Sequence, residues 1–194
     1  MKRQWTLAQY QGVDLTLFAV ILGICEYAVT RAAGSWFPGQ LYTVSLTATV
    51  CAIVLMRWGV WAGLHALLGG AVFWLASGGS GAQLAIYALG NLACLLVLPL
   101  LRGGGKAKIK ADKLYTALFA LAVVLCMQLG RAAVALVLGT EPGKCVGFFT
   151  TDTLSDLFTV VVVSLAGRLD GIFEDQKTYL RRLQAQQKKE KGGF

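Results

Sequence analysis

Charged residues are scarce in this chain. Asp, Glu, Lys and Arg together make up 14% of its 194 residues, while apolar residues make up 56%. A soluble domain carries about a quarter charged residues, so a surface facing water throughout is excluded and lipid must supply part of the solvent. Histidine occurs once, at His65, and the five cysteines (Cys25, Cys51, Cys94, Cys126, Cys145) are isolated, without a CxxC or a Cys/His pair. That argues against a disulfide framework and a zinc-type site, so no metal and no cofactor is expected. The thiols read instead as small packing groups. A GxxxxGK[ST] phosphate loop is also missing, because Gly103-Gly104-Gly105-Lys106 lacks its spacing and its Ser or Thr. ATP hydrolysis is therefore not expected of this chain, and no enzyme chemistry is assigned to it. The apolar stretch after Lys2 and Arg3 begins late and lacks a small-residue cleavage site, so it reads as a first span rather than a signal peptide.

What is present is a set of six apolar stretches, covering 15–34, 41–56, 59–78, 82–101, 114–138 and 153–167. They fit an all-α polytopic membrane bundle of six transmembrane helices occupying 1–171, followed by a basic tail, 172–194. The second and sixth stretches are short for a hydrocarbon core of about 30 Å. Arg57-Trp58-Gly59 separates the second from the third and reads as an interfacial turn with Trp58 at headgroup level. The basic residues are uneven: fifteen of the eighteen Lys and Arg fall at the termini, at Arg57, or between Arg102 and Lys113. Only Arg31 and Lys144 fall in the alternate gaps, and Arg131 lies within the fifth stretch. Under the positive-inside rule both termini are cytoplasmic. Basic surface interleaved with aromatics on a soluble module is lacking, so nucleic acid is not an expected partner. The 102–110 stretch reads as a flexible basic linker, and the tail as a helical continuation of the sixth span that frays.

Polar groups inside the spans carry the functional argument, because each is expensive in lipid unless it faces a cavity or a partner. Gln128 and Arg131 are three apart on the fifth stretch, and Asp152 and Asp156 four apart at the start of the sixth. Gln83, Tyr87 and Asn91 step along one face of the fourth. With the topology above, all lie toward the outer compartment. Trp36 and Tyr42, in the first outer connection, add an aromatic wall. These nine residues form the expected substrate-binding set, with Arg131 as an anion or carbonyl anchor, the two Asp as acceptors, and Trp36, Tyr42 and Tyr87 stacking on a ring. Each has a plainer reading beside it: belt aromatics, interhelical hydrogen bonds, and an Arg131–Asp156 structural pair. Glu26 either pairs with Arg31 or joins the pocket. His65 falls in the other half of the membrane and reads as a packing residue.

Small residues recur at helical spacing at Ala28 and Ala32, and at Ala62, Ala66 and Gly70. Such faces let helices approach closely, within the bundle or against a second membrane protein. The stretch from Tyr42-Thr-Val-Ser-Leu to Arg57-Trp58-Gly59, then Ala62-Gly63-Leu64-His65-Ala66-Leu67-Leu68-Gly69-Gly70 and Tyr87-Ala-Leu-Gly-Asn91, resembles the substrate-binding S components of energy-coupling factor transporters. The resemblance implies a subunit of the bacterial cell membrane that captures a vitamin-like small molecule from outside. It also implies partners, a T component and two cytoplasmic ATPases, with Ala28-Val-Thr-Arg-Ala32 matching the family's docking motif.

Of two other classes, the first stays open and the second is set aside. A non-transporting scaffold resembling the rod-shape-determining membrane subunit would share the bundle without needing a pocket. Gly78-Gly79-Ser80-Gly81 matches the GxSG of rhomboid intramembrane proteases, but His65 precedes Ser80 and falls toward the opposite membrane face.

Overall fold

The computed structural model describes residues 6–36, 38, 43–169, 171–176 and 178–180, and all regular structure among them is helical. The long helices are α1 (Leu7–Trp36), α2 (Thr47–Trp58), α3 (Ala62–Ser77) and α4 (Gly81–Asn91), which continues as a 3₁₀ helix over Leu92–Leu101. Then come α5 (Gly105–Ala111), α6 (Lys113–Val137), the single turns α7 (Pro142–Cys145) and α8 (Gly147–Thr150), and α9 (Thr153–Ala166). Four helical runs are long and apolar enough to cross a membrane: Leu7–Trp36, Thr47–Ser77, Gly81–Leu101 and Lys113–Val137. Pro142–Thr150 and Thr153–Ala166, which meet at a bend of 41°, pass the same test only when taken together as one span.

Six stretches are apolar in sequence; the bent pair accounts for one difference in count, and Thr47–Ser77, which merges two stretches, for the other. As one rod, this run would hold Cys51 and Ala62 about 16 Å apart. Instead the Cys51 thiol lies 3.7 Å from the Ala62 carbonyl, and a Cβ on Gly69 would sit against Thr47. The run is therefore a hairpin. Its turn depends on Gly59, whose φ of 62° and ψ of −119° suit a residue without Cβ. Arg57 and Trp58 close the turn from outside it. The Arg57 Nε and Nη2 each donate to an Asp14 oxygen at 2.8 Å, and the Trp58 indole donates to Asp14 at 2.5 Å. Trp58 is thus buried against α1. Asp14 is what draws it inward.

Local signals start and stop the other helices. Ser80 and Gln83 form a reciprocal capping box at α4, Asp112 accepts from the Leu114 amide at 2.8 Å to start α6, and Gly78 ends α3 in the left-handed region. The 102–110 stretch is not a simple flexible linker. Gly103 and Gly104, with φ of 57° and 90°, reverse the chain into α5, whose Ile109 is buried and held by the Thr116 hydroxyl on its carbonyl at 2.5 Å. Nor does α9 continue into the tail, since it ends at Ala166. The chain turns at Gly171, Phe173 and Leu180 return to the core, and Arg57 donates to the Gly171 and Ile172 carbonyls at 2.9 and 3.2 Å. The expected boundary at 171 therefore falls inside a packed segment. The tail from 181 lies outside the described residues.

Glycines bring the central helices together. A Cβ on Gly70 would lie 2.5 Å from the Tyr87 carbonyl carbon, and one on Gly90 would lie 2.6 Å from the Arg131 Cα. Backbones thus meet where α3 crosses α4 and where α4 crosses α6, the small-residue packing expected in lipid. The core is built from Val50 to Met56 of α2 and the inward faces of α3, α6 and α9. By contrast, Val13, Leu17, Val20, Ile24 and Tyr27 of α1 are exposed, as a lipid-facing stripe requires.

Candidate functional site

The crossing at Gly90 sets the position of the polar cluster. It lays Asn91 against Arg131, whose Nε donates to the Asn91 Oδ1 at 2.7 Å. The Arg131 Nη1 pairs with Asp152 at the start of α9, and the Thr43 hydroxyl reaches the other Asp152 oxygen. The face of the guanidinium lies over Tyr87, with Cζ 5.0 Å from the ring centroid, and Tyr87 itself packs on Phe73 and Phe148. Arg131 and Asp152 are each about 95% buried. Charges at that depth persist only when paired and hydrogen-bonded, and every partner just named is in place.

Two further layers surround this pair. Gln128 donates to Asp156 at 2.7 Å. The non-helical segment 43–46 is tied to α9: the Thr43 amide donates to the Thr151 carbonyl at 3.0 Å, the Ser45 amide to the Ser155 hydroxyl at 3.0 Å, and that hydroxyl to the Thr43 carbonyl at 2.9 Å. Deeper in, the Thr49 and Thr159 hydroxyls join at 2.9 Å. Glu26 of α1 is fully buried, and its Oε2 accepts from the Leu46 amide at 2.7 Å, at the entry of α2. Its Oε1, together with the Thr30 and Thr47 hydroxyls, has no hydrogen-bond partner among the described residues.

Of the nine expected substrate-binding residues, six meet here: Tyr87, Asn91, Gln128, Arg131, Asp152 and Asp156. The carboxylate that pairs with Arg131 is Asp152, not Asp156, because α9 docks with its N-cap residue level with Arg131. An Arg131–Asp156 pair is therefore absent, and the Arg131 Nε and Nη1 are engaged by Asn91 and Asp152. Gln83 stands apart, its side chain accepting from the Ser80 amide at 2.8 Å. Trp36 is 75% exposed at the end of α1. Tyr42 lies outside the described residues. Glu26 does not meet Arg31, which is exposed, and turns to α2 instead. Thr43, Ser45 and Ser155 escaped the sequence reading. Ser155 had a signal, since 152, 155, 159 and 163 fall on one helical stripe, and all four are buried.

The crevice over the cluster, lined by Ser45, Gln128, Arg131, Asp152, Ser155 and Asp156, holds about 10 Å³. That is room for one water at most. The cluster is closed. Among the described residues no group of three or more His, Cys, Asp or Glu is placed to hold a metal.

The other expected sites lie elsewhere. Ala62, Ala66 and Gly70 are buried within the bundle, whereas Ala28 is exposed and Ala32 half-buried. The Ser80 hydroxyl accepts from the Gln83 amide at 3.4 Å. His65 is held between the Leu15 and Trp61 carbonyls at 3.0 and 3.4 Å, at the opposite end of α3. Comparison with protein-family models, with curated proteins and with solved structures returns no match. Fold and site together define an all-helical protein with several membrane-compatible helices around a buried ionic cluster.

Proposed function

We propose that the chain is a solute-capturing membrane subunit of the energy-coupling factor type. Six antiparallel legs would cross a bacterial cell membrane, with both termini cytoplasmic and the ionic cluster toward the outside. The observation that carries this reading is the convergence of Tyr87, Asn91, Gln128, Arg131, Asp152 and Asp156 from three helices at one end of an apolar bundle. Polar groups inside membrane helices mark substrate paths. Capture would require the 43–46 segment and the start of α9 to move apart, since the closed crevice admits no vitamin-sized molecule. The charge balance narrows the solute. Arg131 is ion-paired with Asp152, and around this one cation stand two further carboxyl groups, Asp156 and Glu26, that make no ion pair among the described residues. A solute bearing a positive group complements that excess. A T component, driven by two cytoplasmic ATPases, would dock against α1, where Ala28 remains exposed.

The closed state of the crevice favours a second reading, a scaffold that binds partners and no solute. Affinity purification of the tagged full chain from its native membrane separates the two. A T component with paired ATPases, and a small molecule retained in mass spectra, are expected. Cell-wall machinery in their place would overturn transport.

A further inference from the structure

The opposite end of the bundle carries a second feature, outside the ionic cluster. Between the end of the 3₁₀ helix, α5 and the start of α6 lies a cavity of about 400 Å³, lined by Leu100, Arg102, Lys108, Ile109, Tyr115 and Leu118 among others. No acidic residue lines it. A neighbouring cavity of about 460 Å³, on the far side of α5, is different. There Lys106 and Lys110 face Glu174 and Asp175, and Lys106 pairs with Asp175 at 2.6 Å. Cations are balanced on one side of α5 and left over on the other. Arg102 and Lys108 make no ion pair among the described residues. Asp112, one turn beyond Lys108, turns its carboxylate onto the Leu114 amide instead.

The walls give the ligand its other half. Leu100, Tyr115 and Leu118 are exposed to 56%, 49% and 50%, and they belong to helical runs of membrane-spanning length. The cations therefore stand at a membrane boundary with apolar surface directly beneath them. Free phosphate would use the cations and leave that surface idle. An amphiphile with an anionic head uses both. The mouth is also held in shape: Gly103 and Gly104 set the reversal after Arg102, the Thr116 hydroxyl fixes the Ile109 carbonyl, and the Lys106–Asp175 pair holds the other flank.

We propose that this cavity is a binding site for one anionic phospholipid, its phosphate between Arg102 and Lys108 and an acyl chain along Leu100 and Leu118. The inference rests on the membrane reading and stands independently of transport. It is tested by native mass spectrometry of the full chain released from vesicles of equal phosphatidylglycerol and phosphatidylcholine. One phosphatidylglycerol retained per chain is expected, with Arg102→Gln and Lys108→Gln together reducing the preference at least about tenfold. Lys110→Gln and Lys113→Gln together remove the same charge outside the cavity and should leave the preference intact. Equal retention of both lipids would overturn the site, as would an equal loss in the two variants. Displacement of phosphatidylglycerol by inorganic phosphate at matched concentration would also overturn it in favour of a bare anion site.

Discussion

Arg131 and Asp152 show what a single residue commits the chain to in lipid. Desolvating two charges is repaid only while both partners remain, so removing one leaves the other buried and unpaired, at a cost of about 3–5 kcal/mol. Arg131→Met and Asp152→Leu should each lower the thermal midpoint in detergent sharply. The double variant should be less destabilised than the sum of the two, because it leaves no orphan charge. Strict additivity would mean that the pair is not coupled. Asp156 occupies a different position, half-buried at the crevice with one neutral donor, Gln128. Asp156→Asn keeps a carbonyl oxygen for that bond, so stability should change by about 1 kcal/mol or less. If the solute is cationic, its affinity should nonetheless fall by about tenfold or more, as read by isothermal titration with the retained molecule. An unchanged affinity would remove Asp156 from the site.

Elements are positioned here chiefly by glycine. At Gly90 the α4 and α6 backbones touch, and any larger residue must push Asn91 away from Arg131. Gly90→Val should therefore disturb the cluster as well as the packing, losing about 3 kcal/mol or more. Gly81→Ala, at a position with open space around its Cβ, should be close to neutral in the same unfolding assay. Similar losses at both would argue against the close crossing. The helices themselves were legible in sequence because apolar runs and their breaks are local, and the turn at Gly59 was legible from Arg57-Trp58-Gly59. Register was not. Spacing placed Asp152 and Asp156 on one face, but only the depth at which α9 docks decides which meets Arg131. The burial of Trp58 was hidden for the same reason, since Asp14, its partner, is 44 residues away in the chain. The helix α5 was hidden because three glycines at 103–105 argue locally for flexibility, while Thr116 and the buried Ile109 supply the order from outside.

At the scale of the molecule, the proposed six crossings turn on the hairpin at 47–77. Helical length and composition alone admit this run as one span, in which case Val60 would sit near mid-membrane. Folded at Gly59, the run returns Val60 to the end that carries Arg102 and α5. Val60 is 60% exposed there, so a cysteine in its place can report directly. In a chain with the five native cysteines replaced, Val60→Cys and Ala107→Cys should react with a membrane-impermeant maleimide only after the cells are opened. Gly143→Cys, in the connection on the far side of α6, should react in intact cells. Charge supplies the sign of this expectation, because Arg57, Arg102 and four lysines from Lys106 to Lys113 crowd one end while Lys144 stands at the other. Labelling of Gly143→Cys only after opening would invert the protein and turn the ionic cluster toward the cytoplasm, ending the capture reading. If Val60→Cys resisted labelling under both conditions, the hairpin would be lost as a pair of crossings, whatever the orientation of the rest.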